Sequence, residues 1–236
     1  MNKEHSETYI LYGASFNPPH IGHFSAISQM LEEHDKVIVF PYPKKFVNGN
    51  YESLPPINQR MKMLQIFALN FFPQMSERLI IVNLAKLIEK ENIEHQVLHT
   101  YDYLNFVKTQ IPNDAKLKVC LGFDSQNLVR KENFYNEDKI KVEYEYFFLQ
   151  EENKIKSSDL RAFFSTHKNI KSKKDEEYIR SAVGNSLAEY IFTNNLYGLK
   201  AKKINKKLLE NENESVMVTD NGQEEPILKP LKKLKM

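Results

Sequence analysis

The sequence predicts an α/β fold built around a doubly wound, mostly parallel sheet. Short apolar runs alternate along the chain with segments whose apolar residues recur at helical spacing. This alternation is typical of βα units, in which each crossover helix brings the next strand back parallel. The chain has 236 residues, which suits one large α/β domain or one domain with an appendage.

Five strands are predicted from the apolar runs. They cover Tyr9–Tyr12, Lys36–Phe40, Leu79–Val82, Leu117–Leu121 and Val142–Leu149. Helices are predicted where apolar residues recur every three or four positions, and one of them begins with Thr100 as its capping residue. They cover Phe24–Glu33, Pro56–Phe72, Thr100–Gln110 and Ser186–Phe192. The apolar face of the second helix is expected to comprise Ile57, Met61, Leu64, Ile66 and Phe67. The polar stretch Lys168–Glu177 is interpreted as a solvated loop or a frayed helix.

The chain divides by composition into a domain at residues 1–198 and a lysine-rich tail at 199–236. Nine lysines and six acidic residues lie in the tail, so most of the basic character of the chain, whose net charge is +2, belongs there. Lysine, asparagine and glutamate dominate the segment and aromatic residues are few, a composition that buries too little surface to offset its ordering entropy. The tail is therefore expected to be disordered, and no nucleic-acid partner is expected for the domain.

Bulk features also bound the setting in which the protein works. No apolar stretch approaches the roughly 20 residues that a membrane span needs, so no membrane partner is expected. The first eight residues are polar and lack a signal-peptide core, which predicts a cytoplasmic location. The single cysteine, Cys120, lies in a predicted strand and is expected to be a buried, reduced thiol.

A proline-containing loop between the first strand and the first helix is the most informative segment. It follows Gly13 and ends with two histidines, His20 and His23, on either side of Ile-Gly. Imidazole N–H groups at a helix start, backed by the positive end of the helix dipole, are suited to phosphate oxygens. Two alternatives stay open, a metal site without an evident third ligand and incidental surface histidines. The remaining histidines are expected on the surface: His5, His34, His95, His99 and His167.

Two further segments carry polar groups suited to a nucleotide. Ser157 or Ser158 is expected to cap a helix, with Arg161 on its first turn, which together would form an anion cradle. Gly122 and Asp124 follow a predicted strand, where an acidic residue can accept a ribose hydroxyl. Each has an ordinary structural alternative, namely plain helix capping with a surface arginine, and an aspartate that starts a loop.

Taken together, these segments resemble the nucleotidylyltransferase superfamily in order and spacing. They read Gly13-Ala-Ser-Phe-Asn-Pro-Pro-His20-Ile-Gly-His23, Gly122-Phe-Asp124 and Ser157-Ser-Asp-Leu-Arg161. Three more resemble the bacterial nicotinate mononucleotide adenylyltransferases within it. They read Pro41-Tyr-Pro-Lys44-Lys45, His99-Thr100-Tyr-Asp-Tyr-Leu104 and Leu187-Ala-Glu-Tyr-Ile-Phe-Thr-Asn-Asn-Leu-Tyr197. The resemblance spans residues 8–198 and implies a Rossmann-like nucleotidylyltransferase fold.

The resemblance also implies roles for individual residues. His20, His23 and Arg161 would be catalytic and would hold ATP phosphates. The wider ATP site would comprise Gly13, Ser15, Phe16, His20, His23, Gly122, Asp124, Ser157, Ser158 and Arg161. The second substrate, a pyridine mononucleotide, would meet Lys44, Lys45, Thr100 and Phe134. Mg²⁺ is expected to accompany ATP, with few protein ligands because magnesium keeps most of its waters.

Three departures from that family affect what can be carried over. Asn17 stands where aspartate is commoner, Lys156 replaces the first serine of the cradle, and the chain has no tryptophan for the pyridine. The resemblance implies adenylyl transfer from ATP to nicotinate mononucleotide, giving deamido-NAD and pyrophosphate. Alternative acceptors are nicotinamide mononucleotide and another small molecule such as phosphopantetheine. An alternative of a different class is a non-catalytic protein that binds nucleotides or nucleic acid. The sequence leaves the oligomeric state open.

Overall fold

The computed structural model describes residues 6–43, 45–47, 50–52, 54–75, 77–90, 99–121, 136–150, 155–170 and 172–201. In chain order its strands are β1 Thr8–Ala14, β2 Lys36–Pro41, β3 Lys45–Val47, β4 Asn50–Glu52, β5 Leu79–Ile81, β6 Lys116–Leu121, β7 Glu145–Phe148, β8 Asn169–Ile170 and β9 Lys200–Ala201. Its helices are α1 Ile21–Glu33, α2 Ile57–Phe71, α3 Leu84–Lys90, α4 Thr100–Lys108, α5 Glu137–Glu143, α6 Ser157–Thr166, α7 Lys173–Val183 and α8 Asn185–Thr193, and a 3₁₀ turn covers Leu196–Gly198.

Five parallel strands form the central sheet in the order β5-β2-β1-β6-β7. The chain runs outward from β1 to one edge and then returns to build the other half on the far side of β1. This is the doubly wound, Rossmann-like order, and it confirms the predicted fold class. Two small pairs accompany the sheet, the antiparallel β3-β4 hairpin and the parallel β8-β9 pair.

The sheet is covered on both faces because alternate residues of each strand point to opposite sides. Ile10 and Tyr12 of β1 join the core on the face covered by α1, α2, α6, α7 and α8. Tyr9 and Leu11 join the core on the other face, under α3, α4 and α5. Both layers are strongly apolar, and all four β1 side chains are buried.

The last predicted strand, Val142–Leu149, is wrong over its first residues. Val142 lies in α5 and is 85% exposed, and the strand itself covers only Glu145–Phe148. Acidic residues occupy the first turn of α5, where the helix dipole favours them, and Ile140 is its fully buried anchor. Tertiary packing of Ile140 therefore outweighs the β-propensity of Val142.

The interpretation of Lys168–Glu177 as a solvated loop or frayed helix is also wrong. Asn169–Ile170 pairs with β9, and Ser172 caps α7 by accepting the Asp175 backbone N–H at 3.0 Å. The helix buries Ile179, Ala182 and Val183, whose spacing gives it one apolar stripe. The sequence did not indicate a stable helix here because lysines occupy its exposed N-terminal turn.

The described part of the chain continues slightly beyond the compositional boundary at residue 198. Leu199 is fully buried in the core, and β9 pairs with β8. The packed chain thus reaches residue 201, whereas residues 202–236 of the expected tail lie outside the described residues. No helix within the described ranges is long and apolar enough to cross a membrane.

Two single-residue expectations have opposite outcomes. Cys120 is buried in β6 and burial raises the pKa of its thiol, as expected for an unreactive core cysteine. His34, expected on the surface, is instead buried at the end of α1. Its ring hydrogen-bonds the Met30 carbonyl at 3.0 Å and meets Phe147 edge-on. A C-terminal helix carbonyl and an aromatic neighbour therefore make this histidine part of the core.

Candidate active site

The candidate site lies at the carboxyl edge of the sheet, where β1 is flanked by β2 and β6. The two halves of the sheet diverge there, and in open α/β sheets ligands bind in the crevice at such a switch point. The loop that joins β1 to α1, residues 15–20, borders this crevice and is called the phosphate loop below. Phe16 at its centre is fully buried and has φ of 46°, a left-handed conformation held by the surrounding packing.

The two histidines form the N-terminal cap of α1. His20 is the cap residue, and its Nδ1 accepts the Gly22 backbone N–H at 3.1 Å. The Nδ1 of His23 accepts the His20 backbone N–H at 3.1 Å, and the two ring centroids are 3.9 Å apart. Because each Nδ1 is an acceptor, each neutral ring carries its proton on Nε2. The capping bonds thus fix the tautomer and leave an Nε2–H donor on both rings.

Burial keeps both rings neutral. Desolvation lowers the pKa of His20 to about 4, with a smaller opposing effect of Asp159. Desolvation also lowers the pKa of His23 well below its usual range, and the neighbouring His20 adds to this. Each ring is 7% exposed. The pair therefore offers two fixed N–H donors without a formal charge.

Gly22 is required by the closeness of its neighbours. A Cβ at this position would lie 2.9 Å from Cε1 of His20 and 3.1 Å from the Ile155 carbonyl oxygen. Both distances are shorter than ordinary carbon contacts, so a side chain would displace the histidine or the segment that precedes α6. Gly22 thus brings the helix cap and that segment together.

The N-terminus of α6 meets the phosphate loop. Ser157 Oγ donates to the Pro18 carbonyl at 3.0 Å, and Arg161 Nη1 donates to the Asn17 carbonyl at 2.9 Å. The expectation that Ser157 or Ser158 caps the helix is wrong, since the cap residue is Lys156. Its backbone N–H donates to Asp159 Oδ2 at 3.3 Å. Ser157 is freed from capping and instead binds the loop, while Ser158 is exposed.

Two residues outside the predicted site also hold the phosphate loop. Arg60 of α2 is fully buried and donates from Nη1 to the Ser15 carbonyl at 2.9 Å. The Tyr197 hydroxyl donates to Oδ1 of Asn17 at 2.9 Å. The buried face of α2 consists of Arg60, Met63, Leu64, Phe67 and Ala68, and only Leu64 and Phe67 of these were predicted to lie on it. A charged residue on this apolar face was the feature of the sequence that could have indicated Arg60. Nothing in the sequence near Tyr197 indicated its contact with Asn17.

The acceptor side of the crevice is bordered by Tyr42 and Thr100. Thr100 is the first residue of α4, whose cap is His99, so its expected capping role is wrong. Burial raises the pKa of the neighbouring Tyr42 to about 12, and the Thr100 side chain opposes that rise. A Cβ at Gly13 would lie 2.6 Å from the Tyr42 ring, so this tyrosine lies against the end of β1. Gly13 therefore admits an aromatic ring beside the switch point.

The structure brings together the larger part of the predicted site. Gly13, Ser15, Phe16 and both histidines lie on or beside the phosphate loop, which Ser157 and Arg161 contact. Ser158 lies at the same helix start, and Thr100 lies across β1. Lys45 begins β3, where only the backbone is described. The predictions for Lys44, Gly122, Asp124 and Phe134 lie outside the described residues.

Comparison with known proteins points to one kind of enzyme. The cytidylyltransferase-like family model matches residues 11–163. A relative from Sulfurimonas denitrificans, named probable nicotinate-nucleotide adenylyltransferase, is 28% identical over 158 residues, 66% of this chain and 84% of its own. A solved candidate nicotinate-nucleotide adenylyltransferase of Vibrio parahaemolyticus shares the fold with a TM-score of 0.59 at 20% identity, covering 78% of this chain and 98% of its own.

A second solved structure is the Plasmodium falciparum nicotinic acid mononucleotide adenylyltransferase in complex with NaAD. It matches with a TM-score of 0.57 at 19% identity and covers 82% of this chain and 98% of its own. Both structural likenesses establish the fold. A Rossmann-like sheet with a capped histidine pair at its switch point defines the protein as a nucleotidyltransferase. The family match over residues 11–163 then shows that the chain belongs to the cytidylyltransferase-like family.

Proposed function

We propose that this protein transfers the adenylyl group of ATP to nicotinate mononucleotide, forming deamido-NAD and releasing pyrophosphate in NAD biosynthesis. One observation carries the proposal above all others. The neutral histidine pair and the N-terminus of α6, separated in sequence by well over a hundred residues, are brought to the same phosphate loop. Two Nε2–H donors and a guanidinium are groups suited to the oxygens of a triphosphate.

The reaction needs positioning and charge stabilisation more than proton transfer. The 5′-phosphate of the mononucleotide attacks the α-phosphorus, the bond to the bridging oxygen breaks, and pyrophosphate leaves. Because the attacking phosphate is already an anion, no general base is required. The Nε2–H groups of His20 and His23 are assigned to the α-phosphoryl oxygens, and Arg161 to the β- and γ-phosphates. Neutral N–H donors suit this task because they hydrogen-bond the phosphoryl oxygens of the transition state without transferring a proton to them.

Mg²⁺ is proposed to enter as part of the substrate, bound to ATP. Among the described residues, no three His, Cys, Asp or Glu side chains come together as ligands. Imidazoles whose Nδ1 is already occupied, hydroxyls and a guanidinium instead suit contacts to phosphate oxygens. This donor set fits a magnesium ion held by triphosphate oxygens and water, where it would neutralise phosphate charge.

The choice of acceptor rests on the opposite side of the crevice and on the relatives. Thr100 and Tyr42 present side-chain hydroxyls and an aromatic ring beside β1. An aromatic face with adjacent hydroxyls suits a flat pyridine ring. The nicotinate-nucleotide adenylyltransferase name of the Sulfurimonas denitrificans relative supports the same acceptor. Lys44, Lys45 and Phe134 remain predicted contributors on this side, and Gly122 and Asp124 on the adenosine side.

A pyrophosphate-release assay tests the proposal directly. Purified protein is given ATP and Mg²⁺ with nicotinate mononucleotide, nicotinamide mononucleotide or 4′-phosphopantetheine, in parallel. The proposal predicts release with nicotinate mononucleotide at a kcat/KM well above that with the other two. A higher kcat/KM with either competitor would show that this competitor is the acceptor. Release with none of the three would overturn the proposal that the second substrate is a pyridine mononucleotide.

A further inference from the structure

Arg60 is a buried cation placed directly beneath the phosphate loop. Its guanidinium donates to three backbone carbonyls, those of Ser15 at 2.9 Å, Pro55 at 3.0 Å and Pro43 at 3.4 Å. The side chain is fully buried, and among the described residues its partners are carbonyls rather than carboxylates. A buried charge that is paired with carbonyls rather than a carboxylate is costly, so the presence of Arg60 at this position calls for a reason beyond packing.

The bond to Ser15 fixes the direction of the next backbone N–H. The Ser15–Phe16 peptide is trans, since the cis bond of this loop is the one between Asn17 and Pro18. In a trans peptide the carbonyl and the N–H point in opposite directions. Because Arg60 holds the Ser15 carbonyl, the Phe16 N–H is turned away from the guanidinium. This N–H forms no hydrogen bond with any described residue.

Two other carbonyls of the loop are held in the same manner. Arg161 binds the Asn17 carbonyl and Ser157 binds that of Pro18, and the following residues, Pro18 and Pro19, have no N–H to offer. Carbonyl oxygens that faced the crevice would repel a phosphate. Within the loop, the Phe16 N–H is thus the backbone donor whose direction depends on Arg60.

We propose that Arg60 is a positioning residue for ATP, which turns the Phe16 N–H toward the triphosphate and supplies positive charge from beneath the loop. The proposal rests on the nucleotide-binding role assigned above and adds a residue from α2 to it. Arg60 does not touch the substrate. It acts through the Ser15–Phe16 peptide and through the field of a poorly screened buried charge.

The chain offers a closely matched control in Arg78. Its guanidinium also donates to three backbone carbonyls, those of Asp35 at 3.3 Å, His34 at 2.8 Å and Leu31. These lie where α1 ends and β2 begins, at the opposite edge of the sheet from the phosphate loop. Arg78→Met therefore removes a three-carbonyl clamp of the same kind without approaching the crevice.

The test compares wild type, Arg60→Met, Arg60→Lys and Arg78→Met by thermal unfolding and by calorimetric titration with ATP and Mg²⁺. In Arg60→Met the Phe16 N–H is no longer held toward the triphosphate, so its charge-assisted hydrogen bond to a phosphate oxygen is lost. Loss of such a bond weakens binding by about 10–100-fold, which is the rise expected in the ATP Kd. Arg60→Lys keeps the charge and one bond, so its Kd should be intermediate. Arg78→Met should lose stability and bind ATP as wild type does.

The outcomes separate the two proposals. If wild type itself binds no ATP, the proposed function fails. If wild type binds and both Arg60 variants bind equally well, the function stands and Arg60 is structural. Should Arg60→Met fail to fold, Arg60→Lys decides, because a structural role would lower its melting temperature and leave the ATP Kd unchanged. A steady-state comparison adds a second readout, with the KM for ATP raised more than the KM for the mononucleotide.

Discussion

At the scale of single residues, a helix cap determines what the two histidines can do. Both Nδ1 atoms are used to cap α1, so the proton of each neutral ring lies on Nε2. The cap and the proposed phosphate contacts therefore use different edges of the same rings. A side chain that only capped the helix could be replaced by serine or aspartate, which lack the second donor.

His23→Ala is the first substitution that follows from this arrangement. Removing one preorganised donor typically costs about 10²–10³ in kcat, which is the loss expected for adenylyl transfer. His34→Ala is the matched control, because His34 is a second buried histidine at the other end of α1. It should lose stability without losing turnover per folded molecule. Near-normal kcat in His23→Ala would remove its imidazole from the mechanism.

The buried neutral state of His20 predicts a pH dependence of stability. The pKa is lowered from 6.5 to about 4 on folding, so between these values the unfolded chain binds a proton that the folded protein does not. The contribution of His20 to the free energy of unfolding is therefore fully present above pH 6.5, and it is lost as the pH falls toward 4. The full difference is about 3 kcal/mol for this residue.

Urea unfolding of wild type and His20→Gln at pH 7.5, 6 and 5 measures this contribution. Glutamine keeps an acceptor for the cap but does not titrate, so its unfolding free energy should fall less steeply over this range. The difference between the two curves isolates His20 from carboxylates that titrate in both proteins. Parallel curves would mean that His20 binds its proton equally well in the folded and unfolded states.

At the scale of elements, the 3₁₀ turn near the end of the fold reaches back to the phosphate loop. Its Tyr197 hydroxyl donates to Asn17 Oδ1 at 2.9 Å, and its ring packs on Phe164 of α6. Tyr197 has φ of 57°, so the packing holds it in a conformation uncommon outside glycine. The turn thus links the loop and α6, the two parts of the proposed phosphate site.

Tyr197→Phe should lower kcat/KM for ATP by about 3–10-fold, since one neutral hydrogen bond contributes about 1 kcal/mol. Tyr144→Phe is the control, because the Tyr144 hydroxyl also donates to an asparagine Oδ1 at 2.9 Å, that of Asn105 on the other face of the sheet. Both variants should lose similar stability, measured by thermal unfolding, but only Tyr197→Phe should change kinetics. Equal kinetic effects would assign the loss to stability alone.

The same scale shows which parts of the fold could be predicted from the sequence. Strands with continuous apolar runs, such as β1 and β2, were placed to within two residues at either end because both their faces are buried. Short apolar runs beside a helix were harder, and Val142 was assigned to a strand although it lies in α5. α3 was not predicted because its apolar stripe is short, and α7 was not predicted as a stable helix because lysines occupy its exposed first turn.

The candidate site was predictable where residues are adjacent in sequence and less so where contacts are distant. The histidine loop was evident because strand, glycine and helix cap follow one another. Arg60 and Tyr197 were not, because their partners Ser15 and Asn17 lie 45 and 180 positions away. Only folding shows that a charge on the apolar face of α2 meets backbone carbonyls rather than a carboxylate.

At the scale of the whole molecule, the question is how much of the chain the activity needs. Leu199 is fully buried and β9 pairs with β8, which adds a last strand to the packed domain. Beyond it, the remaining sequence is rich in lysine and holds no aromatic residue, which is typical of segments outside a packed domain. The boundary between required and dispensable chain is therefore expected immediately after Ala201.

Two truncations on either side of Leu199 test this boundary. A protein ending at Ala201 should match the full chain in melting temperature, kcat and KM for both substrates. A protein ending at Gly198 loses the buried leucine and β9, and burial of one leucine alone is worth about 2–5 kcal/mol. It should unfold at a clearly lower temperature. Loss of turnover in the longer truncation would instead place the tail in the reaction, whereas a change confined to salt-dependent nucleic-acid binding would give it a separate role.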